Sequence, residues 1–213
     1  MKKLLVALMA LVAVSANAQS NAAAIKLGVF TPKACETGFI VGYEQGRHID
    51  ENLDVAISVD WFKKDFEDKE KVKSENQVGG SLSADINQKV SETTIYDFPV
   101  MLSLTAKFPV APKTKVYATG GFGAELLYAS YHNYVSSTEV KEESKFAFDW
   151  NWRIGGGALY QLGDRSEIFG ELTFHYSIPD YENEYTVGSN KIIETTEYSM
   201  YGLLSRVGVR YYF

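Results

Sequence analysis

The chain has 213 residues, a formal net charge of −6, 46% hydrophobic residues, 17 Gly, 5 Pro and one Cys. This balance excludes a disordered chain, a collagen-like repeat and a disulfide-stapled scaffold, and its acidity excludes nucleic acid as a partner. Aromatics reach 14%, a level that suits strands or a membrane interface better than a helical bundle.

The first stretch, MKKLLVALMALVAVSANAQS, begins with Lys2 and Lys3, runs apolar from Leu4 to Val14 and closes on Ala16-Asn17-Ala18. A positive start, an apolar run and a small-x-small site are the parts of a secretory signal peptide, expected over 1–18 and leaving a mature domain of 19–213. The apolar run is shorter than the roughly 20 residues a spanning helix needs. Losing two lysines makes the exported chain more acidic still. Cys35 lies far beyond the apolar run, so a lipid-anchored start is excluded and a free thiol is expected.

Eight segments then alternate with a period of two. They are AAAIKLGVF (22–30), GFIVGYEQG (38–46), LDVAISVDWF (53–62), IYDFPVMLSLTAKF (95–108), KVYATGGFGAELLYASY (115–131), FDWNWRIGGGALYQLG (148–163), EIFGELTFHYSI (167–178) and YGLLSRVGVRYYF (201–213). RHIDEN, PVAPKT and DRS join them as tight turns at one end. At the other end TPKACET is short, while 63–94, 132–147 and 179–200 are long polar links. Short turns at one end and long loops at the other predict an all-β, antiparallel, up-and-down transmembrane β-barrel of about eight strands. A ten-stranded variant would require 78–90 to pair as well.

The charges divide cleanly between the two phases. One phase carries Ile25, Leu27, Val29, Phe39, Val41, Tyr43, Val55, Ile57, Val59, Trp61, Leu102, Leu104, Trp150, Trp152, Ile154, Leu172, Leu203, Val207, Val209, Tyr211 and Phe213, and no charge. The other carries Lys26, Glu44, Asp54, Asp60, Asp97, Lys107, Glu125, Asp149, Arg153, Glu171, Arg206 and Arg210, with Lys115 and Glu167 at segment ends and many Gly, Ala and Ser residues between. A charge facing lipid at mid-bilayer costs about 2–4 kcal/mol, whereas a lumen is polar. The charged phase is therefore expected inside, as a structural network of Glu44, Asp60, Asp97, Lys107, Glu125, Arg153, Glu171, Arg206 and Arg210. A soluble lipocalin-like periplasmic barrel has the same periodicity with the faces exchanged. Aromatics at segment ends (Trp61-Phe62, Trp150 with Trp152, Tyr211 to Phe213) and the small residues of the charged phase favour the membrane form.

GYEQGRHIDENLDVAISVDWF, LSLTAKFPVAPKTKVYATGGFG and LLSRVGVRYYF resemble the second and third, fourth and fifth, and last strands of the OmpA-type and OmpX-type small outer-membrane barrels of Gram-negative cells. The resemblance covers the mature chain and implies an outer-membrane location among lipid and lipopolysaccharide. It also implies a terminal strand, with Val209, Tyr211 and Phe213, that the outer-membrane assembly machinery reads. A monomeric structural or surface protein is expected, with loops that bind ligands or surfaces, and with no catalytic residue, cofactor or metal ligand. The alternative is a lipid A-modifying enzyme. His175 and Ser177 stand two apart, which resembles the His-x-Ser of the lipid A deacylases, but Ile178-Pro179-Asp180 replaces the Asn-Ala-Gly that follows there. His48, His132 and His175 lack zinc-ligand spacing, and the glycines of GGFGAE and RIGGGALY precede no helix.

Overall fold

A computed structural model describes the backbone of residues 21–73, 85–133, 141–187 and 190–213, and the side chains of 22–65, 93–130, 144–181 and 195–213. The expected signal peptide lies outside the described residues. The strands are β1 (Asn21–Pro32), β2 (Gly38–Asp50), β3 (Leu53–Lys73), β4 (Asp85–Ala111) and β5 (Thr114–Asn133), followed by β6 (Lys141–Gly163), β7 (Ser166–Tyr176), β8 (Asp180–Val187), β9 (Asn190–Glu197) and β10 (Gly202–Tyr212). Neighbours in sequence pair antiparallel from β1 to β7; β7 pairs with β10, and β10 pairs with β1 from Ala22↔Tyr212 to Pro32↔Gly202. Eight strands thus close a barrel, and closure leaves none of them an unpaired edge at membrane depth.

The three tight turns are built alike. Each follows a register shift, between His48 and Asp50, between Pro109 and Ala111, and between Gln161 and Gly163. Extra residues at a barrel rim sharpen the twist and end the pairing. Asp50 Oδ1 accepts the Asn52 N–H at 2.7 Å inside the first turn. The turns are also laced to neighbouring strands, by Lys107 N–H to Asn52 O (2.7 Å), Gln161 N–H to Lys113 O (2.8 Å) and Tyr212 N–H to Arg165 O (2.9 Å).

At the opposite end the structure corrects the sequence reading. Much of 63–94 and 132–147 is strand rather than loop: β3 and β4 stay paired as far as Lys73↔Asp85, and β5 and β6 as far as Asn133↔Lys141. Polar residues there gave no hydrophobic alternation to read, because this part of the sheet stands clear of the apolar band. Residues 85–90 do pair, as an extension of β4 and not as extra barrel strands; 78–84 lie outside the described residues. The link 179–200 holds the β8–β9 hairpin, which touches β6 at Phe148↔Asp180.

The faces fall as the phases require. Ile25, Trp150, Ile154 and Val207 are 59–61% exposed, while Lys26, Glu44, Asp60, Arg153, Arg206 and Arg210 are buried. A barrel with apolar residues outward and charges inward is the inverse of a lipocalin, and the soluble alternative is set aside. Stacked rings run across the outward face, Trp152 on Tyr176 at 5.4 Å and Tyr176 on Tyr201 at 5.7 Å. Phe62 and Tyr212, expected in the outward girdle, turn inward. Phe62 is fully buried, and the Tyr212 hydroxyl donates to Glu167 Oε2 at 2.5 Å.

Candidate functional site in the lumen

All nine residues of the expected network lie buried in the lumen, and they sort into levels. At the turn end, Lys107 Nζ meets Asp54 Oδ2 at 2.6 Å and donates to the Tyr212 hydroxyl at 3.1 Å, while His48 Nδ1 bonds Asp54 and its ring stacks on Tyr212. Arg210 reaches Glu44 at 3.0 Å and Glu167 at 3.4 Å. A cavity of about 800 Å³ opens below this level between the three tight turns.

The middle level is organised on Asp60. Its Oδ2 accepts from Arg153 Nη1 at 2.6 Å and from Arg206 Nη1 at 2.8 Å. Arg206 Nη2 also meets Glu171 at 2.5 Å, and Lys26 Nζ lies 2.5 Å from Glu44 and 3.6 Å from Glu171. Small residues make this possible. A Cβ on Gly42 would stand 2.1 Å from Asp60 Oδ1, and one on Gly28 2.7 Å from Arg206 Cγ, so both positions leave room for long side chains to cross the barrel.

Above it, Asp97, Glu125, Asn151 and His175 occupy β4, β5, β6 and β7. Glu125 Oε2 is bonded by His175 Nε2 at 2.6 Å and by Asn151 Nδ2 at 3.3 Å. Glu125 therefore pairs with a histidine. Arg153 Nη2 stands 3.5 Å from His175 Nδ1. A guanidinium can only donate, so Nδ1 accepts, and Nε2 carries the hydrogen given to Glu125. His175 has no nitrogen left for Ser177, whose hydroxyl is fully buried and without a hydrogen-bond partner.

The outermost level is apolar, which the sequence reading did not anticipate. Phe30, Ile40, Phe62, Ile95, Leu127 and Leu204 project inward, and Tyr198 and Met200 from the chain after β9 pack against them. This strap is pinned by Lys33 N–H to Tyr201 O, Ala34 N–H to Ser199 O and Tyr198 N–H to Pro179 O, all at 2.9 Å. The signal was available in the inner phase of the outer strand ends, where Phe30, Ile40 and Leu204 interrupt the run of small and charged residues. Cys35 leans on the same cluster from the β1–β2 link. Burial pushes its thiol up to about 12.

A closed eight-stranded barrel with an apolar belt, a charged interior, tight turns at one end and tall strands at the other defines a small integral outer-membrane β-barrel. The chain belongs to the outer membrane protein beta-barrel domain family, whose model matches residues 4–213, and its place is the outer membrane. Among solved structures it is similar to a major outer membrane protein from Thermus thermophilus, at 14% identity over 92% of this chain and 100% of that one, with a TM-score of 0.60. It is also similar to Neisserial surface protein A (15%, 91% and 96%, TM-score 0.52) and to OprG from Pseudomonas aeruginosa (12%, 92% and 96%, TM-score 0.52). At such identities the likeness carries the fold alone. Comparison with curated proteins finds no match.

Proposed function

We propose that the protein is a sealed, non-conducting surface barrel, a rigid monomeric frame that carries the tall β3–β6 sheet and the β8–β9 hairpin out of the membrane as a contact surface. The observation that carries this reading is the filled lumen: an ion-pair layer at mid-depth and an apolar plug of Phe30, Ile40, Phe62, Leu127, Met200 and Leu204 beneath the outer links. Packed side chains at two successive levels speak against an aqueous path, and in this reading binding falls to the exposed outer elements. In planar bilayers the protein should give no current steps; steady single-channel openings from the wild-type chain would sink the reading.

Within this reading the chain is exported by cleavage after Ala18, sits among lipid and lipopolysaccharide, and offers Val209, Tyr211 and Phe213 to the outer-membrane assembly machinery. Val209 and Tyr211 face outward on β10, and Phe213 is exposed after it. The alternative placed on His175 and Ser177 finds no support in the geometry. Both are enclosed in the lumen, away from lipid, and a serine needs a base within hydrogen-bond reach to act as a nucleophile.

A further inference from the structure

Seven carboxylates and five Lys or Arg side chains are buried in the lumen. Lys26, Lys107, Arg153, Arg206 and Arg210 reach Glu44, Asp54, Asp60, Glu167 and Glu171 within 4.0 Å. Among the described residues, Asp97 and Glu125 have no such cationic partner, and both are wholly buried. They are also adjacent, with the Asp97 carboxyl in hydrogen-bonding reach of the Glu125 carboxyl. His175 does not balance them, since it meets Glu125 as the neutral tautomer.

The unmet oxygens belong to residues linked through Glu125, which meets Asn151 on one side and Asp97 on the other. Both Oδ atoms of Asp97, Oε1 of Glu125 and Oδ1 of Asn151 are buried without a hydrogen-bond donor. Asn151 is fully buried, and its Nδ2 is committed to Glu125. The three residues stand on consecutive strands, with Asp97 opposite Leu127, Glu125 opposite Asp149, and Asn151 opposite Gly123, so a two-residue step from strand to strand, as barrel tilt demands, brings them to one level. Asp149 is satisfied, accepting the Trp150 and Ile178 N–H groups at 2.7 Å. Leu127 and Ile95 shut the level off from the outer side.

We propose that Asp97, Glu125 and Asn151 bind a divalent cation of the calcium kind within the lumen. Two uncompensated carboxylates ask for two positive charges, and an all-oxygen set of two carboxylates and an amide carbonyl is hard-cation chemistry. Calcium tolerates irregular geometry and completes its shell with water; magnesium demands near-octahedral geometry. A softer metal is disfavoured, because the three residues supply no sulfur or nitrogen ligand and both ring nitrogens of the neighbouring His175 are engaged, with Glu125 and Arg153.

The plug makes entry into the finished barrel slow, so the test is made during folding. The mature chain is refolded from urea into detergent with EGTA, calcium chloride, magnesium chloride or choline chloride at equal ionic strength, gel-filtered, and read by bound-metal analysis and melting temperature. Near one-to-one calcium is expected, with a rise in Tm of about 5–10 °C at a hundredfold excess over Kd, and a smaller effect of magnesium. Asp97→Asn should lose the bound calcium and its Tm response while still showing heat-modifiable migration, and should melt in EGTA no lower than the wild type, because it removes an unpaired charge. Absence of bound calcium in the wild type, an equal response in Asp97→Asn, or a Tm that follows pH and ignores calcium, as a shared proton would give, each overturns the proposal.

Discussion

Replacing Asp60 by alanine removes the acceptor that Arg153 and Arg206 share, at 2.6 and 2.8 Å. Arg206 keeps Glu171 at 2.5 Å, whereas Arg153 keeps only the His175 ring nitrogen at 3.5 Å among the described residues. One guanidinium is then stranded where its side chain is 7% exposed. Breaking one partner of a buried pair costs about 3–5 kcal/mol, and each kcal/mol moves Tm by about 2–4 °C in a chain of this size, so a fall of roughly 6–20 °C is expected. Arg153→Ala should cost less, because Asp60 retains Arg206. The assay is circular dichroism melting in detergent, with heat-modifiable gel migration to confirm that the barrel formed. Because the pair is buried, the loss should persist at high salt. The control is Asp65→Ala, whose partner Lys63 is 3.1 Å away with both side chains more than 40% exposed; such a pair is worth about 0–1 kcal/mol. If Asp60→Ala melts no lower than Asp65→Ala, the middle level is not held by this carboxylate and the account of the lumen is wrong.

Gly42→Val places its Cβ 2.1 Å from Asp60 Oδ1 and should lower the melting temperature nearly as far as Asp60→Ala, with the double variant no worse than the more damaged single one. Val207→Arg, on the lipid face at 61% exposure, should lose about 2–4 kcal/mol in urea titrations from lipid vesicles if it lies near mid-bilayer; an unchanged midpoint would place that face away from lipid. At pH 8 a thiol held near 12 has on the order of a thousandfold less thiolate than one at the ordinary 9.0. Native Cys35 should therefore react with iodoacetamide far more slowly than the same cysteine in urea, and equal rates would show that burial does not protect it.

The membrane-depth wall was legible because two solvents act on alternate residues. Lipid tolerates no charge on Ile25, Leu27 and Val29, and the lumen accepts Lys26 between them, so period two carries the register and the sidedness together. The extension of β3 and β4 beyond Lys63 and Thr94 was not legible, since strands with water on both faces have no contrast to display. The network's members could be named, but its pairing could not. Glu125 meets His175 across 50 residues of sequence, and Asp60 meets Arg206 across 146; such partners are chosen by barrel stagger and side-chain length, not by spacing. The plug was missed for a related reason. Phe30, Ile40 and Leu204 sit on the charged phase, and only the depth of their strand ends separates an apolar level from a polar one.

The same polar core that crosses the middle of the lumen also specifies the barrel. A one-residue slip of β10 against β1 would turn Arg206 and Arg210 into lipid, at about 2–4 kcal/mol each near mid-bilayer, and would abandon Asp60, Glu171, Glu44 and Glu167 inside. Val207 and Val209 would enter the charged lumen in exchange, so the apolar face opposes the same slip. The ion pairs discriminate strongly, because each joins strands that are distant in sequence: β3 to β6 and to β10 through Asp60, and β2 to β10 through Glu44. Closure between the first and last strands is thus enforced from within, by charges that find their partners in one register only. A barrel that needed a water-filled pore could not place its register determinants across the centre. This one does, through ion pairs that cross the barrel at mid-depth.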